Sequence, residues 1–173
     1  MNLKKNKIGI LGGSFDPAHK GHLAISKIAK KKLNLKKVIW AITKKNPFKN
    51  KSYNSVEDRT KYCKKIIGKN KYIKVKFYEN LIKSNKTINL INYLKKNKNT
   101  DIYFLMGADN LISFHKWYKW RSISKKCSII VFDRQGFKKK SLNSITYKSL
   151  ANKNLQFIEY EKVNISSSQL RKI

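Results

Sequence analysis

The chain has 173 residues, 40% of them hydrophobic, and carries Lys+Arg 41 against Asp+Glu 9 for a formal net charge of +32. That length supports one sizeable core, so a single domain over residues 1–173 is expected, and no apolar run approaches membrane-spanning length. The basic start, Met1 to Lys7, is followed by an apolar stretch that breaks at Gly12, too short for a signal-peptide core. The surplus charge must attract polyanions, but the lysines are scattered, the only arginines are Arg59, Arg121, Arg134 and Arg171, and no aromatic-rich RNA-binding signature accompanies them. The charge therefore reads as a solvated coat, with no specific nucleic-acid partner. Cys63 and Cys127 are isolated from each other and from histidines, which argues against a metal site and fits a reducing compartment; a cytoplasmic location is expected.

Ile8 to Leu11 is a short continuous apolar run, as in a strand buried on both faces of a parallel sheet. It runs into Gly12-Gly13-Ser14-Phe15-Asp16-Pro17-Ala18-His19-Lys20-Gly21-His22. Gly12 and Gly13 are expected to let the backbone turn sharply and approach a ligand. His19 and His22, three residues apart where a helix should start, would both face that ligand beside the unpaired N–H groups of the helix N-terminus. Ala24, Ile25, Ile28, Ala29 and Leu33 then form one helical stripe, and Val38 to Ile42 is the next strand, giving a β-α-β unit with parallel strands.

The polar loop after that strand, Thr43 to Lys51, puts Lys44, Lys45, Lys49 and Lys51 at a strand's C-terminal end, where open α/β sheets bind ligands. Ser55 and Asp58 read as a helix start, with Arg59 on the surface or serving within the chain, and Gly68 as the stop. Ile73 to Tyr78 alternates like a half-exposed strand, and Thr87 is expected to cap a helix bearing Leu90, Ile91 and Leu94. Ile102 to Met106 is another buried strand, ending in Gly107-Ala108-Asp109. There Asp109 stands at a strand end rather than on a helix surface, with Trp117 and Trp120 shortly after, spaced for one helix face. Ser128 to Phe132 is a further buried strand before Asp133 and Arg134. Lys138 to Asn154 reads as a loop with at most one helical turn, and Leu155 to Tyr160 as a last strand. Ile165-Ser166-Ser167-Ser168-Gln169-Leu170-Arg171 brings hydroxyls and N–H groups to a helix start with an arginine one turn on, a phosphate clamp.

His19-Lys20-Gly21-His22 resembles the His-x-Gly-His mark of the nucleotidylyltransferase superfamily, and the closing Ile-Ser-Ser-Ser-x-Leu-Arg resembles its second signature. Within the superfamily the first stretch is similar to that of the bacterial nicotinate-nucleotide adenylyltransferases. The resemblance runs through nearly the whole chain and implies a single Rossmann-like, doubly wound parallel α/β sheet. It also implies transfer of an adenylyl group from ATP to nicotinate mononucleotide, with Mg²⁺ arriving on the ATP. On this resemblance His19, His22 and Arg171 are catalytic. Gly12, Gly13, Ser14, Phe15, Lys49, Ser167 and Ser168 would bind ATP. Thr87, Asp109, Trp117 and Arg134 would bind the mononucleotide. The pantetheine branch usually has Thr at position 19 and the flavin branch Gly at position 17, so those sister reactions are weaker alternatives. Nicotinamide mononucleotide as acceptor stays open, as does oligomeric state. A nucleic-acid-binding relic would have lost one of the two signatures.

Overall fold

The computed structural model describes residues 5–45 and 52–159. Strand β1 (Asn6–Gly13) leads through helix α1 (Lys20–Lys32) to β2 (Lys37–Ile42), and helix α2 (Val56–Ile67) leads to β3 (Ile73–Lys76). Helices α3 (Glu79–Ile82) and α4 (Thr87–Leu94) then carry the chain back across the sheet to β4 (Thr100–Gly107). Beyond it come α5 (Ala108–Ser113), a short 3-10 turn, α6 (Trp120–Lys126), β5 (Ser128–Phe132), α7 (Lys138–Leu142), α8 (Ile145–Leu150) and β6 (Leu155–Ile158). The six strands form one sheet in the order β3-β2-β1-β4-β5-β6, every pair parallel. The expected doubly wound sheet is therefore the one observed. No helix among the described residues is long and apolar enough to cross a membrane.

Alternation along the strands divides the core in two. Ile8, Ile10, Ile39, Ile102, Phe104, Met106, Ile129 and Val131 pack on one face with Ile88 and Ile91 of α4, Leu111 of α5 and Ile123 of α6. Leu11, Val38, Trp40, Ile42, Leu105, Ile130 and Phe132 pack on the other with Ala29 of α1 and Cys63 and Ile67 of α2. Strands buried on both faces must be apolar throughout, which is why they stood out in the sequence.

Helix ends follow local chemistry. The Ser55 hydroxyl accepts from the Asp58 N–H at 3.0 Å to start α2, and Gly68, at φ +56°, ends it. Five expectations are corrected. Thr87 is the first residue of α4 rather than its cap; Lys86 holds the cap position without a side-chain bond, and the Ser84 hydroxyl accepts from the Lys86 N–H and the Asn89 amide. The third strand stops at Lys76, because Tyr78 already precedes α3. The stretch from Lys138 holds two helices, with Ser144 capping α8 through the Tyr147 N–H, and the last strand ends at Ile158. Trp117 and Trp120 do not share a helix face: Trp117 follows the 3-10 turn with extended backbone, and Trp120 opens α6.

Gly9 marks where the loop after α1 presses on the sheet. A Cβ there would stand 2.8 Å from Leu35 Cδ1 and 3.3 Å from Leu105 Cδ1, both fully buried side chains. Gly9→Ala should cost about 1–3 kcal/mol by overpacking, and combining it with Leu35→Ala should destabilise by less than the sum of the two single changes. Urea unfolding of the three variants checks this; strict additivity would mean that the two sites do not meet.

Candidate active site

The chain leaves β1 toward β2 and β3 and returns on the opposite side as β4, so the connections diverge at the carboxyl ends of β1 and β4 and leave a crevice there. That crevice is lined by Gly12 from β1, His19, Gly21 and His22 from the start of α1, Gly107 from the end of β4, Asp109 and Asn110 from the start of α5, and Arg134 after β5.

The two histidines build the N-terminus of α1 themselves. His19 is the cap residue, and its Nδ1 accepts from the Gly21 N–H at 3.1 Å. His22 Nδ1 accepts from the His19 N–H at 3.1 Å, closing a reciprocal pair of the capping-box type. The ring centroids lie 3.9 Å apart. Because each Nδ1 is an acceptor, each ring proton sits on Nε2, and that N–H is left to a ligand. Burial, followed by the Arg134 charge, lowers the His19 pKa to about 4. Burial, then the neighbouring His19 and Arg134, holds His22 well below the ordinary value too. The pair is therefore held neutral at pH 7 and offers donors rather than charge. The His22 ring also leans on Phe15 (4.8 Å) and Trp40 (5.9 Å), and the Ser26 hydroxyl, itself bonded by the Trp40 indole N–H, donates to the His22 carbonyl at 2.8 Å.

Gly12 and Gly13 are extended residues of β1, with neither in the left-handed region, so they do not make the turn. The left-handed residue is Phe15, at φ 49°, and the turn itself is at Asp16 and Pro17. A Cβ on Gly12 would meet only Phe104 Cζ, at 3.6 Å, so glycine there leaves open space in the crevice rather than relieving a clash. The Phe15 ring is buried and stacked on Trp40 at 5.0 Å, which leaves only its backbone for a ligand. Asp109 lies in the first turn of α5, off the strand, and its carboxylate is ion-paired with Arg134. A Cβ on Gly107 would stand 2.5 Å from Asp109 Oδ1, so the missing side chain gives the carboxylate its place.

Ser14, Thr87 and Trp117 stand outside the crevice lining. Trp117 packs edge-on against Phe114 (5.1 Å) and Phe104 (5.9 Å), the residue facing Gly12, and among the described residues its buried Nε1–H has no partner. Lys49, Ser167, Ser168 and Arg171 lie outside the described residues. Among the described residues no group of three or more His, Cys, Asp or Glu is placed to hold a metal. Sequence reasoning missed the role of Asp16, 2% exposed, and of the two roles open to Arg59, surface or within the chain, the structure has the second, with Arg59 3% exposed. A rare acid beside a proline and an arginine on an apolar helix face were the available signals.

The family model for cytidylyltransferase-like proteins matches residues 10–173. This chain belongs to the cytidylyltransferase-like family. It is 68% identical over 173 residues, 100% of this chain and 96% of the other, to a Pelagibacter ubique (strain HTCC1062) protein named "Probable nicotinate-nucleotide adenylyltransferase". A protein of the same name from Agrobacterium fabrum (strain C58 / ATCC 33970) is 40% identical over 131 residues, 75% of this chain and 70% of the other. The fold matches that of Plasmodium falciparum nicotinic acid mononucleotide adenylyltransferase complexed with NaAD, with a TM-score of 0.75 at 24% identity, covering 96% of this chain and 83% of that one. In this family member the histidine pair thus stands where the fold leaves its crevice.

Two outcomes follow from the histidine geometry. His22→Asn, whose Oδ1 can replace Nδ1 as the acceptor, should keep thermal stability near wild type, whereas His22→Ala should lose about 1 kcal/mol through the cap; equal stabilities would remove the capping role. Both histidines are neutral when folded but take up protons in the unfolded chain below pH 6.5, so the unfolded chain binds more protons between pH 6.5 and about 4. Stability should fall as pH falls through that window, and the slope should flatten in the His19→Asn/His22→Asn double variant. Urea midpoints at several pH values measure it, and an unchanged slope would mean the pair titrates normally.

Proposed function

We propose that the protein transfers an adenylyl group from ATP to nicotinate mononucleotide, giving nicotinic acid adenine dinucleotide and pyrophosphate. A phosphate oxygen of the mononucleotide forms the new bond to the ATP α-phosphorus, and the bond from that phosphorus to the bridging oxygen breaks, releasing pyrophosphate. The observation that carries the reading is the pair of Nε2–H donors fixed at the start of α1 in the crevice between β1 and β4. The names and high identity of the relatives support the choice of acceptor.

The incoming phosphate is already a nucleophile at neutral pH, so the chain's residues act by positioning and by stabilising charge. His19 and His22 donate to the phosphates of ATP, and the open space at Gly12 admits them. A neutral, preoriented donor needs no proton exchange to meet the charge that develops on the α-phosphate. Lys49, Ser167, Ser168 and Arg171 add cationic and hydroxyl contacts to ATP, with Gly13, Ser14 and the Phe15 backbone. Asp109 binds ribose hydroxyls, Arg134 orients Asp109 and faces the dinucleotide, Thr87 contacts the mononucleotide, and Trp117 receives the pyridine ring. Mg²⁺ comes as the metal complex of ATP and is part of the substrate.

Purified protein with ATP and Mg²⁺ should release pyrophosphate with nicotinate mononucleotide in preference to nicotinamide mononucleotide, flavin mononucleotide or phosphopantetheine. Release with none of the four would overturn the reading. Trp117→Ala should raise KM for the mononucleotide roughly ten- to a hundredfold, since about 1.4 kcal/mol of lost stacking and burial is a factor of ten, and leave KM for ATP nearly unchanged. Trp120, 8% exposed in the core, is the control expected to act through stability alone. Equal effects of Trp117→Ala on both substrates would assign that ring to packing.

A further inference from the structure

The loops that leave β1 and β2 are far apart in sequence, yet one buried side chain ties them together. The Arg59 guanidinium, from the first turns of α2, donates to five main-chain carbonyls. Its Nε bonds Asn54 (3.1 Å) and Ser55 (3.2 Å), its Nη1 bonds Ser14 (2.6 Å) and Thr43 (2.8 Å), and its Nη2 bonds Lys44 (3.1 Å). Ser14 follows β1, Thr43 and Lys44 follow β2, and Asn54 and Ser55 are the entry to α2. Asp16 makes the complementary tie: its carboxylate accepts from the Tyr53 N–H at 2.6 Å, the Asn54 N–H at 3.4 Å and the Asn54 amide at 2.7 Å. Glu79 holds Lys44 from the other end by accepting its N–H at 3.1 Å.

Burying a guanidinium is costly, and its planar fork of donors reaches three chain segments at once, which a lysine ammonium with three donors on a point charge does not. The β1 and β2 strands are already paired through the sheet, and the Thr43 N–H already bonds the Gly13 carbonyl. What Arg59 adds is a fixed position for the Ser14 carbonyl. The next residue, Phe15, has a left-handed backbone and lays its ring against His22 at 4.8 Å and Trp40 at 5.0 Å. A shift at Ser14 is therefore passed through a close-packed ring to the imidazole that faces the crevice.

We infer that Arg59 is a positioning residue for the transfer reaction, setting the β1 exit loop, and through Phe15 the His22 ring, against the ATP phosphates. This rests on the reading under Proposed function. None of Arg59's hydrogen bonds reaches Asp109, Arg134 or Trp117, so the mononucleotide side should be spared.

The test compares Arg59→Lys and Asp16→Asn with wild type at a temperature where each is folded, measuring kcat and both KM values. Arg59→Lys keeps the charge but not the fork. It should lower kcat by about ten- to a hundredfold and raise KM for ATP, with KM for the mononucleotide within about threefold, because a misplacement near 1 Å is enough for a hundredfold loss. Asp16→Asn should show the same split, more weakly, and decides the matter if Arg59→Lys does not fold. A purely structural role would lower the melting temperature while leaving kcat per folded molecule and both KM values at wild type, and that result would overturn the inference. Imidazole NMR signals of His19 and His22 report the same displacement without turnover. An inactive wild type would sink the functional reading, and unmoved His22 signals in both variants would then sink this one separately.

Discussion

Everything at the crevice depends on how α1 begins. The helix has no acidic residue in its first turn, and its leading N–H groups meet imidazole nitrogens, His19 Nδ1 for Gly21 and His22 Nδ1 for His19. One pair of hydrogen bonds thus does two things: it satisfies donors that would otherwise be orphaned, and it fixes the tautomer that turns Nε2–H outward. A protonated ring could not accept at Nδ1, so the cap and the neutral state support each other. Burial beside Arg134 pushes in the same direction.

With only nine acids against 41 basic residues, the placement of each carboxylate matters. Asp16 is buried and binds three N–H groups of the loop before α2. Burial pushes its pKa up, but the Asn54 amide, the Tyr53 and Asn54 N–H groups and the Arg59 charge outweigh this and hold it below the usual value. Asp109 pairs with Arg134 across the mouth of the crevice, and Glu79 takes the Lys44 N–H. The lysine surplus is carried largely on exposed positions, where charges are well solvated and screened. Asp16, Asp109 and Glu79 instead fix loops at the carboxyl edge of the sheet, where backbone groups have left the strand ladder and need partners.

Much of the architecture was legible. Doubly buried strands announce themselves as apolar runs, and Ser55 and Gly68 mark the ends of α2 through local chemistry that needs no tertiary context. The weak patterning from Lys138 to Asn154 hid α7 and α8 because short helices with few buried positions are held by neighbours: Leu150 packs into the core, and the Thr146 hydroxyl accepts from the His115 N–H. Thr87 looked like a cap because its residue type favours one, yet Ser84, three residues earlier, makes the bonds. The glycine pair ends β1, and neither residue makes the turn that the sequence led one to expect there. Space at the crevice explains Gly12, whereas the turn of the chain belongs to left-handed Phe15 and to Asp16 and Pro17 after it.

The sequence by itself determined the order of the six strands along the chain, the longer helices between them and the placing of His19 and His22 at a helix start, because hydrophobic period, capping types and the His-x-Gly-His spacing are local properties. Only the tertiary structure decided what state those residues hold. The neutrality of His19 and His22 comes from burial and from Arg134, 115 and 112 positions further along the chain. The Asp109–Arg134 pair and the five carbonyls around Arg59 join segments that are distant in sequence. Charge states and buried hydrogen bonds depend on which groups are brought within a few ångströms and cut off from water, and that is a property of packing, not of spacing along the chain.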